Sequence, residues 1–141
     1  MNEGATWQVG TALPELIVGP LTPADFARYA EASSDHNPLH TDPTFAQAAG
    51  LEGVIAHGML VMGLLGRLAT SLAGPTALHE FGVRFRAPTR PGETLCCGGQ
   101  ITASVPTPDG QLRLKLDLWA RGDADQLKAT GSCWVLLRSE Q

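Results

Sequence analysis

The apolar stretch HGMLVMGLLGRLATSLA, residues 57–73, constrains the fold more than any other part of the chain. It is long enough for about four turns of α-helix, and its apolar side chains point to nearly every side. A helix that is apolar all round is a buried helix. The uninterrupted apolar run, GVIAHGMLVMGLLG, is bounded by Glu52 and Arg67 and falls short of the roughly 20 residues of a membrane span. We therefore predict a central helix that the rest of the chain covers.

The covering layer is expected to be an antiparallel sheet. Polar and apolar residues alternate in QLRLKLDLW, which is the period of a half-buried strand, and the preceding PTPDGQ is typical of a hairpin turn. Residues 7–20 predict an edge strand or extended arm, because Pro14 is unsuited to a central strand. The strand-like runs that follow the helix are residues 77–88, 93–105, 111–121 and 126–138.

These elements predict an α+β fold in which an antiparallel sheet of about five strands wraps around the long helix. Four of the strands are expected to form a meander after the helix, and the fifth comes from the amino-terminal part. With 141 residues and 43% apolar content the chain can build a single core, so we expect one domain over residues 1–141.

Charge and cysteine content limit the partners and the compartment. Ten Lys and Arg against 14 Asp and Glu give a net charge of −4, which disfavours nucleic acid as a partner. The first residues show no signal-peptide pattern, and the three cysteines include no C-x-x-C spacing. We therefore expect a soluble cytoplasmic protein with reduced thiols and no membrane partner.

A polar loop lies between two predicted helices. Thr22 and Pro23 are typical of a helix start, Asn37-Pro38 must end that helix, and a short helix from Asp42 to Gly50 is expected next. The loop SSDHNPLHTDP contains Asp35 and His40, and a carboxylate and a neutral imidazole held together can orient a water molecule and take its proton. From spacing alone, it is equally plausible that Asp35 caps a turn and that the histidines are solvated.

A metal site is the less favoured interpretation of the same loop. His36 and His40 have the i, i+4 spacing of a helical ligand pair, but Pro38 between them breaks the helix that such a pair requires. We expect no metal.

The start of the central helix offers a second chemical group. The first N–H groups of a helix have no partner within the helix and carry the positive end of its dipole. Gly58 has no side chain to block its own amide, which is therefore a candidate donor to a carbonyl oxygen that gains negative charge. Alternatively, Gly58 simply permits close packing and His57 caps the helix.

The segment SSDHNPLHTDPTFAQAAGLEGVIAHGML, residues 33–60, resembles the MaoC-like (R)-specific enoyl-CoA hydratases, whose fold is the hotdog fold. The family pattern has Asp-x-Asn-Pro-x-His, then Asp-x-x-x-Ala, and later His-Gly before the central helix. VRFRAPTRPGETL is similar to the family's strand that ends in Pro and a Gly-Asp or Gly-Glu turn.

The resemblance implies reversible addition of water to a trans-2-enoyl thioester, with a CoA thioester as substrate and no cofactor. Asp35 and His40 would hold the attacking water, Gly58 would donate to the thioester oxygen, and Asn37 would steady the loop or the water. Ser34 departs from the family, which usually has glycine there; if the position requires a positive φ, serine strains it.

The sequence identifies the substrate-binding residues less clearly than the catalytic ones. Arg84 and Arg86 share one strand face and are candidates for the CoA phosphates, but a solvated strand face is an equal alternative. Met59 is a candidate wall of the acyl tunnel, although core packing is the simpler interpretation.

The resemblance also implies a dimer with joined sheets, as a homodimer or with another hotdog chain. Two further functions stay open: a hotdog thioesterase, which would release free CoA, and a subunit of a heteromeric MaoC-type dehydratase.

Overall fold

The computed structural model describes residues 7–138. One short strand and three helices come first along the chain, and four longer strands follow. In chain order the elements are β1 (Leu16–Val18), α1 (Pro23–Ser33), α2 (Pro43–Ala48), α3 (Gly58–Ala73), β2 (Leu78–Phe85), β3 (Leu95–Pro106), β4 (Leu112–Arg121) and β5 (Leu127–Leu137).

The five strands form one antiparallel sheet in the order β1-β3-β4-β5-β2. β1 lies at an edge, and the predicted hairpin turn joins β3 to β4, where the Gly110 amide donates to the Thr107 carbonyl (3.1 Å). The predicted four-strand meander is wrong. β3, β4 and β5 follow one another across the sheet, whereas β2 pairs with β5 at the opposite edge.

The connection from β2 to β3 explains this order. Its backbone bonds to other segments instead of folding back as a hairpin: the Ala56 amide donates to the Thr89 carbonyl (2.8 Å), and the Gly92 amide donates to the Leu21 carbonyl (2.7 Å). The connection therefore crosses from one edge of the sheet toward the other and passes the start of α3.

The core lies between α3 and the sheet. Leu65 of α3 and Leu114 and Leu116 of β4 are fully buried, as the alternation in β4 predicts. Each buried Leu contributes roughly 1.5–3 kcal/mol relative to an exposed one.

Burial of α3 is incomplete, since one stripe of the helix faces solvent. The exposed positions are spaced four residues apart and comprise Met59, Gly63, Arg67 and Ser71. A sheet that curves over one side of a helix leaves the other side open in the single chain. No helix in the described part of the chain is long and apolar enough to cross a membrane.

The two shorter helices fix the ends of the polar loop. Thr22 and Asp25 form the capping box of α1, with Thr22 N donating to Asp25 Oδ2 (2.8 Å) and Asp25 N donating to Thr22 Oγ1 (3.3 Å). Asp42 caps α2 by accepting from the Thr44 amide (3.0 Å). Helix α1 ends at Ser33, and the C-cap residue Ser34 has left-handed torsions (φ 61°, ψ 18°).

The three cysteines are free thiols, in keeping with the absence of a C-x-x-C spacing. Burial raises the pKa of Cys97 and of Cys133 to about 11. Burial, followed by the nearby Glu15, also raises the pKa of Cys96. Their thiols are packing groups.

Candidate active site

His40 presents a free ring nitrogen. It ends the short 3-10 turn Pro38–His40, and its Nδ1 lies 2.8 Å from the Ile55 carbonyl oxygen. A carbonyl can only accept, so Nδ1 carries the hydrogen, and in the neutral ring Nε2 is left with an open lone pair. His40 can therefore accept a proton at Nε2.

His57 supports both predicted catalytic residues. Its ring is 1% exposed, its Nε2 donates to the main-chain oxygen of Asp35 (3.0 Å), and it stacks on the His40 ring with 3.8 Å between centroids. Tyr29 packs edge-on against it from the other side at 4.8 Å. His57 is the N-cap residue of α3, as the alternative interpretation has it, but its side chain makes no cap bond.

The Asp35 carboxylate accepts a hydrogen bond within its own loop and also lies near the two histidine rings. Its Oδ1 accepts from the Asn37 amide (3.2 Å), and Asn37 Oδ1 in turn accepts from the Leu39 amide (3.1 Å). One polar side-chain atom each of Asp35, His40 and His57 lie within 4.8 Å of one another. The structure thus brings Asp35 and His40 together, and Asn37 shapes the loop between them.

The same three residues have the chemistry of a metal ligand set, but their geometry does not suit one. The lone pairs of an imidazole lie in its ring plane, and the His40 and His57 rings are stacked with 25° between planes. Stacked rings point their lone pairs side by side instead of toward a common ion, and one nitrogen of each ring is already bonded to a carbonyl. The trio suits hydrogen bonding to water better than ligation.

Gly58 begins α3 and lines a cleft together with His40. It is the first residue of the helix, so its amide is among the groups without an intrahelical partner. A Cβ built on Gly58 would lie 3.0 Å from Cζ of Phe85, so glycine also permits close packing at this point. The cleft has a volume of about 390 Å³, and its walls include His40, Gly58, Val61, Phe85, Arg86, Thr89 and Lys128.

The predicted substrate-binding residues do not all reach the cleft. Arg84 and Arg86 both line a trough on the outer face of the sheet. Arg86 also lines the cleft, with His40 and Gly58, whereas Arg84 is not among its walls. Met59 is 55% exposed on the open stripe of α3 and does not belong to the cleft walls. Its role as an acyl-tunnel wall stays a prediction.

A buried ion pair braces one wall of the cleft. Lys128 is 2% exposed, and its ammonium donates to Glu93 Oε2 (2.9 Å), the Pro88 carbonyl (2.9 Å) and Gln126 Oε1 (2.6 Å). Burial alone would raise the pKa of Glu93, but hydrogen bonds from the Arg90 amide, Lys128 and the Asp123 amide lower it overall.

Sequence reasoning missed the roles of His57 and Lys128. A histidine inside an apolar run and a lysine inside a strand-like run both suggest a buried partner, because an unpaired polar group there would be unfavourable. Neither signal identifies the partner: Asp35 lies 22 residues from His57, and Glu93 lies 35 residues from Lys128.

Comparison with known proteins shows the family of the chain. Residues 9–105 match the family model described as MaoC like domain. An (R)-specific enoyl-CoA hydratase of Rhodospirillum rubrum is 35% identical over 88 residues, 61% of this chain and 61% of that enzyme. The 3-hydroxyacyl-thioester dehydratase Y of Mycobacterium tuberculosis is 41% identical over 86 residues, 58% of this chain and 30% of that protein. The chain thus spans less than two thirds of the length of either relative.

Solved structures share the fold over nearly the whole chain. The (R)-hydratase from A. caviae involved in PHA biosynthesis has a TM-score of 0.80 and 28% identity, covering 93% of this chain and 97% of that one. A chain of the ChsH1-ChsH2 complex from Mycobacterium tuberculosis has a TM-score of 0.81 and 25% identity, covering 94% and 100%. The expected α+β hotdog fold is confirmed. On the match of its residues 9–105, the chain belongs to the MaoC-like domain family.

Proposed function

We propose that this protein is a hydro-lyase that reversibly adds water to a trans-2-enoyl-CoA to give an (R)-3-hydroxyacyl-CoA. The observation that carries the proposal is that His40 and Gly58 line one cleft, while a side-chain oxygen of Asp35 lies within 4.8 Å of a ring nitrogen of His40. Support comes from the relatives, which are named as a hydratase and a dehydratase of such thioesters.

The reaction follows from the roles of these groups. Asp35 and His40 hold a water molecule, and Nε2 of His40 takes one of its protons while the water oxygen bonds to Cβ of the enoyl group. Electron density moves through the conjugated system to the thioester oxygen, where the Gly58 amide donates to the developing charge. Transfer of the proton back to Cα completes the addition, and the reverse sequence is dehydration. The chemistry changes no oxidation state overall and so requires no redox cofactor.

Arg86 is the better candidate for binding a CoA phosphate. It lines the same cleft as His40 and Gly58, and an Arg side chain is well suited to phosphate oxygens. Arg84 lies on the outer face of the sheet, where Asp117 and Glu80 share its trough.

We also propose that the working form is a homodimer. β2 is an edge strand with one side unpaired within residues 7–138, and unpaired strand edges favour pairing with another chain. Exposed apolar surface is also present, on the open stripe of α3 at Met59 and at the half-exposed Phe85, which lines the cleft. Light scattering behind size exclusion should give twice the chain mass, and a monomer with full activity would contradict this part.

The test of the function uses purified protein and a panel of trans-2-enoyl-CoA substrates of increasing length. Wild type should consume the conjugated thioester and form the R product, while Asp35→Asn should be slower by about 10²–10⁴-fold, the usual contribution of acid-base catalysis. Asparagine keeps an oxygen for the Asn37 amide, so thermal unfolding of the variant should match wild type.

Three other results would change the proposal. No consumption of any substrate beside a working hydratase would contradict it. Release of free thiol would indicate a thioesterase instead. An S product would overturn the stereochemistry alone.

A further inference from the structure

The ring of Phe85 covers the amino end of α3. Its Cζ, Cε1 and Cε2 atoms lie 3.0, 3.2 and 3.2 Å from the position that a Cβ on Gly58 would take. Phe85 is the last residue of β2, where it pairs with Ala129, and it lines the cleft with His40 and Gly58. A rigid strand end thus sets the ring against the first turn of the helix.

This position is unusual for a phenyl group. Phe85 is 50% exposed, although full burial of a Phe side chain stabilises a protein by roughly 1.5–3 kcal/mol. Its strand neighbours Arg84 and Arg86 line the trough on the outer sheet face. Alternation in the strand turns Phe85 to the helix side, where it contacts the end of α3 and the cleft instead of the core.

We infer that Phe85 is a positioning residue that shields the Gly58 amide from water, in an arrangement that favours glycine at position 58. The inference rests on the proposed function, in which this amide donates to the thioester oxygen. A donor in a water-poor setting stabilises developing charge more than one in bulk water, because the local dielectric response is weaker. A side chain at position 58 would displace the ring by a few tenths of an ångström, since 3.0 Å is tighter than most contacts of a Cβ atom.

The test is a double-mutant cycle with Gly58→Ala, Phe85→Ala and the combined variant. Phe85→Ala should lower kcat about tenfold with KM little changed, because shielding acts on transition-state charge. Phe85→Leu, which keeps an apolar cover, should restore most of the rate. Gly58→Ala keeps the amide but displaces the ring, so in wild type it should lower kcat by no more than the roughly tenfold of Phe85→Ala. In the Phe85→Ala background, where the methyl group has room, its effect should be much smaller.

Phe45→Ala is the matched control, because Phe45 is 46% exposed on α2 and outside the cleft. It should leave kcat unchanged. Thermal unfolding gives a second readout: Gly58→Ala should lower the Tm in wild type and have little effect on it when Phe85 is Ala.

The outcomes separate the two proposals. Equal effects of Gly58→Ala on kcat and Tm in both backgrounds, with an active wild type, would overturn the role of Phe85 alone. A Phe85→Ala variant with the kcat of Phe45→Ala would do the same. An inactive wild type would contradict the proposed function and the shielding role together.

Discussion

At the scale of single residues, the two stacked histidines, His40 and His57, bond to the backbone through different ring nitrogens, and this gives them different roles. His40 binds the Ile55 carbonyl through Nδ1 and leaves Nε2 toward the site, whereas His57 binds the Asp35 carbonyl through Nε2 and is buried. His57 thus joins the loop that holds Asp35 to the start of α3. Its contribution to the proposed reaction is positional.

His57→Phe tests this positional role. Phenylalanine keeps the ring stack but cannot donate to the Asp35 carbonyl, so the loop loses one of its fixed points. We expect kcat for enoyl-CoA hydration to fall by about 10–100-fold, the scale of a misplacement near 1 Å. His57→Gln, which keeps a donor, should recover part of the rate. Full activity of His57→Phe would show that the bond does not position Asp35.

Ser34→Gly tests the strain at the end of α1. A non-glycine residue in left-handed torsions is disfavoured by roughly 1–2 kcal/mol, while glycine loses about 0.5–1 kcal/mol more backbone entropy on folding. The cost of the left-handed torsions is larger than the entropy that glycine loses. The variant should therefore be more stable by up to about 1 kcal/mol in urea unfolding, with hydration activity retained. A less stable variant would mean that the Ser34 side chain stabilises the loop by contacts that outweigh the strain.

The predicted site residues were visible in the sequence because their signals are local. Asp35 and His40 are five positions apart in a loop fixed by Pro38, and Gly58 opens an apolar helix. The contacts of His57 and of Lys128 are long-range, so spacing along the chain does not reveal them.

At the scale of elements, the Glu93–Lys128 pair ties the connection after β2 to β5. It holds Pro88 in place, and Pro88 lines the cleft. Capping rules predicted the starts of α1 and α2 because a cap is decided within a few residues. The place of β2 at the far edge depends on the path of this connection, which strand patterns do not encode.

Glu93→Gln tests the brace and its pH dependence. Breaking a buried pair leaves an uncompensated charge, so the free energy of unfolding at pH 7 should fall by about 3 kcal/mol. The lowered pKa of Glu93 means that its contribution is complete above its ordinary value of 4.5 and is lost as pH falls through the folded-state pKa. The stability of the variant should therefore depend less on pH in that acidic range.

Glu52→Gln is the control for this prediction, because Glu52 forms a solvent-exposed ion pair with Arg90. The two side chains are 79% and 54% exposed. It should lower stability by less than about 1 kcal/mol. Equal losses for the two variants would contradict the role of the buried pair.

At the scale of the whole molecule, two arginines of one strand face differ in whether they reach the cleft. Arg84 and Arg86 both line the trough on the outer face of the sheet, and Arg86 also lines the cleft. Arg86→Ala should raise KM for an enoyl-CoA about tenfold, the effect of losing one charge-assisted contact of about 1.4 kcal/mol, and Arg84→Ala should not. With an enoyl-pantetheine substrate, which lacks the nucleotide phosphates, both variants should have the KM of wild type. A raised KM for Arg86→Ala on both substrates would indicate a role other than phosphate binding.

The most direct test compares two histidines of the same loop in enoyl-CoA hydration. His40 is part-buried in the cleft, while the side chain of His36 is 59% exposed and faces Glu31 at 3.9 Å. We expect His40→Gln to lower kcat by about 10²–10⁴-fold and His36→Gln to have the kcat of wild type. Equal rates for the two variants would contradict the proposal that His40 takes the proton of the attacking water.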